Sequence, residues 1–93
     1  MQKPMYTILD RVSRTYWTPF CSHNHEDAKR CLSNVVNIPS ENDIYLHPED
    51  FDLYHIGTFD DSSDSPAIIQ TLNPAEFVTR IDSLVVKPKT EEA

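Results

Sequence analysis

The sequence predicts an α+β fold: a small, mainly antiparallel sheet of about four strands, one main helix packed on it, and a short helix near the C-terminus. Three observations carry this prediction. The chain has 93 residues, room for a single modest core that hides roughly two-thirds of the unfolded surface. Residues 5–10, 15–18 and 52–59 are rich in aromatic and β-branched side chains and read as strands. Between them, Ala28, Cys31, Leu32, Val35 and Val36 fall at i, i+3, i+4, i+7 and i+8, one face of a helix.

The elements follow in order. Residues 5–10 (MYTILD) form the first strand, and residues 11–14 the connection; with no glycine there, a tight two-residue hairpin is not signalled. Residues 15–18 (TYWT) form a second strand, which Pro19 ends or confines to a sheet edge because proline has no N–H for a ladder. Asn24 caps the main helix, and Glu26 and Asp27 place acids in its first turn, where the helix dipole favours them. The apolar stripe faces the core, with Cys31 as a small packing residue within it. Pro39 and the polar residues 40–43 stop the helix. Residues 44–46 are ambiguous, and residues 47–51 form a turn or a single helical turn, Pro48 suiting the first position. Residues 52–59 alternate, with Leu53, His55, Gly57 and Phe59 on one face and Tyr54, Ile56 and Thr58 on the other. Both faces carry apolar groups, so this strand is central. Gly57 suits a bulge or a close approach within it. Residues 60–66 form an acidic, flexible loop, and residues 67–72 a further strand. Asn73 as cap, Pro74 in the first turn and Glu76 three residues after the cap then predict a short helix from Pro74 toward Leu84. Residues 1–86 make one domain and residues 87–93 a flexible C-terminal tail.

Composition narrows the function. The formal charge is -7, from 15 acidic and 8 basic residues, which argues against broad coating of nucleic acid or anionic membrane. The single glycine excludes a phosphate-binding P-loop or a dinucleotide fingerprint, each of which needs several. No apolar run approaches the roughly 20 residues of a membrane span, and no signal peptide opens the chain. A soluble, intracellular protein with two free thiols is expected from only two cysteines. The charge is uneven, however. Up to Val36 there are five basic and three acidic residues, and after it three basic and twelve acidic. The first third can therefore offer a local basic face.

Within that third, Arg11, Arg14, Tyr16, Trp17 and Phe20, with Lys29 and Arg30 downstream, interleave cations for phosphates with flat rings for base stacking, the combination single-stranded nucleic acid requires. Strand alternation puts Tyr16 and Trp17 on opposite faces, so one ring is exposed and the other packs in the core. An aromatic edge strand packed on the helix, or a contact between copies of the chain, is the competing reading. Cys21, His23, His25 and Cys31 are competent zinc ligands, but their spacing matches no structural zinc pattern, and no metal or other cofactor is expected. The acidic residues 60–64 lack the glycine and terminal Glu of a calcium loop. No acid/base dyad or nucleophile motif appears, so the chain is not read as an enzyme.

Several segments together resemble the small nonstructural protein of gokushoviruses, single-stranded DNA phages of the Microviridae. They are residues 6–10 (YTILD), Pro19 with Phe20, the helix over residues 24–37, and above all HPEDFDLYHIGTFDD at residues 47–61. The similarity covers approximately residues 5 to 65. It implies a phage-encoded, non-virion protein acting in the host bacterial cytoplasm, described as DNA-binding or as aiding the switch from duplex replication to single-strand synthesis and packaging. Two functions are therefore expected. The first is local single-stranded DNA binding through Arg11, Arg14, Tyr16, Trp17, Lys29 and Arg30, aided by a homodimer that pairs two such patches. The alternative is a regulator whose acidic half binds a phage or host replication or assembly protein.

Overall fold

The computed structural model describes residues 1–62, 64 and 66–86. The fold is α+β, a five-stranded antiparallel sheet with one main helix on one face. Strand β1 (Gln2–Asp10) pairs along its whole length with the central strand β4 (Phe51–Asp60), from Gln2 opposite Asp60 to Asp10 opposite Phe51. The far edge of β4 is taken by β5 (Ala67–Arg80). The outer edge of β1 carries two short strands in succession, β2 (Thr15–Tyr16) and β3 (Phe20–Cys21).

The loop joining β1 to β2 is organised by Asp10. Its Oδ1 accepts from the backbone N–H of Val12 (3.0 Å) and of Ser13 (3.2 Å), and its carbonyl accepts from Arg14 N–H (2.8 Å). Arg14 adopts φ 61°, a left-handed conformation that costs a non-glycine residue about 1–2 kcal/mol and that these three bonds offset. The strand expected over residues 15–18 stops at Tyr16. Pro19 cannot donate, so the chain leaves the ladder and rejoins it at Phe20. Across the gap, Trp17 N–H donates to the Ile8 carbonyl (2.8 Å), and Thr7 Oγ1 donates to the Trp17 carbonyl (2.6 Å).

Helix α1 (His25–Asn37) begins at Asn24, whose Oδ1 accepts from Asp27 N–H at 2.8 Å. Ala28, Leu32 and Val36 are buried against Tyr6, Ile8, Phe51, Leu53 and Ile81. Cys31 is exposed, which corrects its expected place in the core. It lies about 100° round the helix from Leu32, outside the narrower stripe that i, i+4, i+8 defines. The helix end is clamped by Asn37: its Nδ2 donates to the Leu84 carbonyl (2.9 Å), and its Oδ1 accepts from Val86 N–H (2.8 Å). Residues Asp43–Leu46 form a single short helix, α2, capped by Asn42, and Pro48–Asp50 a 3-10 turn with proline first.

The helix expected from Pro74 toward Leu84 is not formed. Residues 74–80 continue strand β5, and only Ile81–Leu84 makes a 3-10 turn. Pairing with β4 decides this: Glu76 lies opposite His55, Phe77 opposite Tyr54 and Arg80 opposite Asp52. A short helix on its own gains little in water, whereas the edge of β4 offers a full ladder of N–H and C=O groups. Between Gly57 opposite Thr71 and His55 opposite Glu76, β5 makes an excursion that contains the cis Asn73–Pro74 peptide. On its other side, β4 bulges at Ile56, immediately before Gly57. The tail expected from Lys87 lies outside the described residues, as do Ser63 and Ser65 of the acidic loop. Among the described residues no helix is long and apolar enough to cross a membrane.

Candidate functional site

Because α1 covers the face of the sheet that carries Tyr6, Ile8, Phe51 and Leu53, strand alternation sends Tyr54 and its cross-strand neighbours to the opposite, helix-free face. There, three rings line up across the sheet. Tyr16 of β2 meets Tyr54 of β4 at a centroid distance of 6.0 Å and an interplanar angle of 81°. Tyr54 in turn meets Phe77 of β5 at 5.8 Å and 77°. Both contacts are the edge-to-face geometry that aromatic quadrupoles favour. The outer rings are largely open to solvent, Tyr16 at 55% and Phe77 at 52%. Beside the row is a shallow, mostly apolar groove of about 330 Å³ lined by Thr7, Tyr16, Trp17, Pro19, Ile56 and Ala75.

The loop end of this face carries three arginines, two of them paired with carboxylates. Arg11 Nε contacts Asp52 Oδ2 at 3.1 Å, and the Arg11 guanidinium also donates to the Glu49 carbonyl. Arg80 stands opposite Asp52 and pairs with Asp82 at 2.9 Å. Arg14 is exposed in the adjacent loop, with no carboxylate in ion-pair contact among the described residues. The other end of the sheet is acidic but internally neutralised. Asp61 accepts from the Met1 amine (2.7 Å) and from Lys3 Nζ (3.0 Å), and these cations, the amine first, draw its carboxyl down to about 2.

The six residues singled out from the sequence are thus divided. Arg11, Arg14 and Tyr16 gather at the loop end of the helix-free face. Trp17 lines the groove and also packs against the core, its ring 5.4 Å from Phe51 and nearly perpendicular to it. Of the neighbouring rings Tyr16 is the exposed one, as alternation required. Lys29 and Arg30 ride on α1, across the sheet from the row, and Lys29 pairs with Glu26 at 3.5 Å. Tyr54, Phe77 and Arg80 were missed. The alternation of residues 52–59 did place Tyr54 opposite Leu53, but reading residues 74–84 as helix hid the register that brings Phe77 beside it.

On the helix face a second cluster forms. Tyr6, fully buried, bonds its hydroxyl to His25 Nδ1 at 2.7 Å; burial foremost, then the nearby Glu76, pushes the phenol up from its ordinary value. His55 Nδ1 lies 2.8 Å and His25 Nε2 3.4 Å from Glu76 Oε1. The hydrogen bond to His55, more than any other contact, holds the Glu76 carboxyl below its usual range. Among the described residues the groups able to hold a metal ion are His25, His55 and Glu76, and His47, Glu49 and Asp50; the Cys21, His23, Cys31 combination is not one of them.

The family described as phage ORF5 protein matches residues 3–84. "Protein ORF5" of Chlamydia phage 1 is 35% identical over 80 residues, covering 77% of this chain and 83% of that protein. No solved structure matches the chain.

Proposed function

The chain belongs to the phage ORF5 protein family, and from that premise we propose that it is a phage accessory protein that holds single-stranded DNA on the helix-free face of its sheet. The observation that carries this reading is the row Tyr16–Tyr54–Phe77, whose outer rings are exposed and whose middle ring is half-buried. Rings clustered on one sheet face are apolar surface of the kind that marks a binding face. Unstacked bases have two flat faces, and sheet aromatics are how single-strand binders engage them without reading sequence. Arg14, with no carboxylate in ion-pair contact among the described residues, supplies a cation at one end of the row, and Arg80 and Arg11, each paired with one carboxylate, can turn their remaining N–H groups to a phosphate, two or three phosphate contacts in all. Binding is local and weak because the rest of the molecule is acidic, and a homodimer would double the contact.

The alternative, an acidic half that docks on a basic partner, is less well supported. Two of its carboxylates, Asp60 and Asp61, already face the Met1 amine, and Asp61 also pairs with Lys3. Fluorescence anisotropy with a labelled single-stranded oligonucleotide at low salt tests the proposal. It expects binding at about tens of micromolar that weakens on adding salt; no binding at that concentration rejects it.

A further inference from the structure

The cluster on the helix face joins three elements that are distant in sequence: His25 begins α1, His55 sits in β4, and Glu76 follows the excursion in β5. The hydrogen bonds around it fix where lone pairs must be. His55 Nε2 lies 3.0 Å from the Gly57 carbonyl. A carbonyl only accepts, so this nitrogen carries the proton and Nδ1 presents a lone pair. That lone pair faces Glu76 Oε1 at 2.8 Å, also an acceptor. Two acceptors at that distance need a proton or a metal cation between them. His25 Nε2 converges on the same oxygen from 3.4 Å. Its other nitrogen meets the Tyr6 hydroxyl, which can accept from Nδ1–H and leave the Nε2 lone pair free.

From this geometry we propose that His25 Nε2, His55 Nδ1 and Glu76 Oε1 form a divalent zinc site. The donor set, two imidazoles and one carboxylate, is a recurrent one for this ion. Tetrahedral coordination at about 2.0 Å separates neighbouring ligand atoms by about 3.3 Å. The His25–Glu76 separation of 3.4 Å already fits this, the His55–Glu76 separation of 2.8 Å needs an opening of about half an ångström, and the two imidazole nitrogens lie within 4.8 Å of each other. The outer partners have the form that metal-bound histidines require, each remote nitrogen engaged by an oxygen: Gly57 carbonyl for His55, Tyr6 hydroxyl for His25. One term opposes the ion. His25 starts α1, and the positive end of the helix dipole disfavours a cation there. Glu26 and Asp27 in the same first turn offset it. His25 and Glu76 are 40% and 55% exposed at the side chain, so an ion can enter from solvent.

The test is zinc binding by the full chain. After equilibration with Zn²⁺ and passage through metal-free buffer, zinc per chain is measured by mass spectrometry, and affinity by competition with a chromophoric chelator. Co²⁺ substitution supplies a visible absorption band that reports tetrahedral nitrogen and oxygen coordination. The proposal expects one zinc per chain and affinity reduced by about 10- to 100-fold or more in His25→Ala and Glu76→Gln, the scale on which even outer partners matter. Both variants alter part-exposed side chains, and melting curves taken without metal verify that they fold. His47→Ala, in the other candidate group, and Cys21→Ser leave binding unchanged. Absence of binding at about tens of micromolar zinc overturns the proposal, as does binding that survives both ligand variants or that disappears with His47→Ala or Cys21→Ser.

Discussion

Arg11 was singled out in the sequence as a phosphate contact, yet the structure gives it a prior obligation, and replacing it by alanine should destabilise the fold. Its Nε lies 3.1 Å from Asp52 Oδ2. Opposite charges at that distance attract by about 5 kcal/mol at an effective dielectric of about 20. The Arg11 side chain is 41% exposed, and solvent screening together with the entropy of fixing a long side chain reduces the net pair to about 1 kcal/mol. The carboxylate left behind adds to the loss. Asp52 is only 6% exposed, and its Oδ1 already has no hydrogen-bond partner; stranding the second oxygen costs a further 1–3 kcal/mol or so. Arg11→Ala should therefore lower stability by about 2–4 kcal/mol, which for a domain of this size lowers the melting temperature by about 8–32 °C. Thermal unfolding followed by circular dichroism measures this. Arg11→Met combined with Asp52→Leu should recover most of the loss, because no buried charge is then unpaired. A shift of less than about 0.5 kcal/mol for Arg11→Ala, the range of an ordinary surface substitution, would show that Asp52 does not depend on Arg11.

Three further outcomes follow from the same contacts. The Asp61 carboxyl is held at about 2 against an ordinary 3.8, so its contribution to stability is complete above pH 3.8 and is lost as pH falls toward 2; a carboxyl NMR titration should find its midpoint moved back up in Lys3→Ala, and an unmoved midpoint discards the pair. Asn24→Ala removes the acceptor for Asp27 N–H and should cost about 1 kcal/mol in chemical denaturation; no change means that α1 does not rely on its cap. Both cysteines are free and exposed, so Cys21 and Cys31 should react with a thiol reagent without denaturant, and a Cys31 that reacts only on unfolding contradicts the orientation of α1.

What could be read from the sequence follows the range of the interactions involved. The start of α1 was legible because Asn24, Glu26 and Asp27 are a local signal, and the core positions Ala28, Leu32 and Val36 because a helix repeats regularly. Residues 52–59 were legible as a central strand because apolar groups occur on both faces. Residues 74–84 were misread for the opposite reason. Asn73, Pro74 and Glu76 carry a local helix-start signal, but the edge of β4 competes for the same backbone and wins. That single non-local pairing assembles both sites, since it sets Phe77 beside Tyr54 on one face and Glu76 beside His55 on the other. Neither the ring row nor the histidine cluster can be written as a spacing. Each depends on register between strands, and in β5 the register shifts three times along the ladder with β4.

The central claim, that the ring row is a platform for single-stranded DNA, is tested most directly by one set of anisotropy titrations across a range of salt concentrations. The account predicts that Tyr54→Ala and Phe77→Ala each weaken binding by about 5- to 150-fold, the loss of 1–3 kcal/mol of stacking. It predicts a log–log salt slope of about -1.5 to -2 from two or three phosphate contacts. The double variant Lys29→Ala with Arg30→Ala, across the sheet from the row, should bind as the parent does. Binding that ignores Tyr54 and Phe77 but is lost with Lys29 and Arg30 would contradict the account.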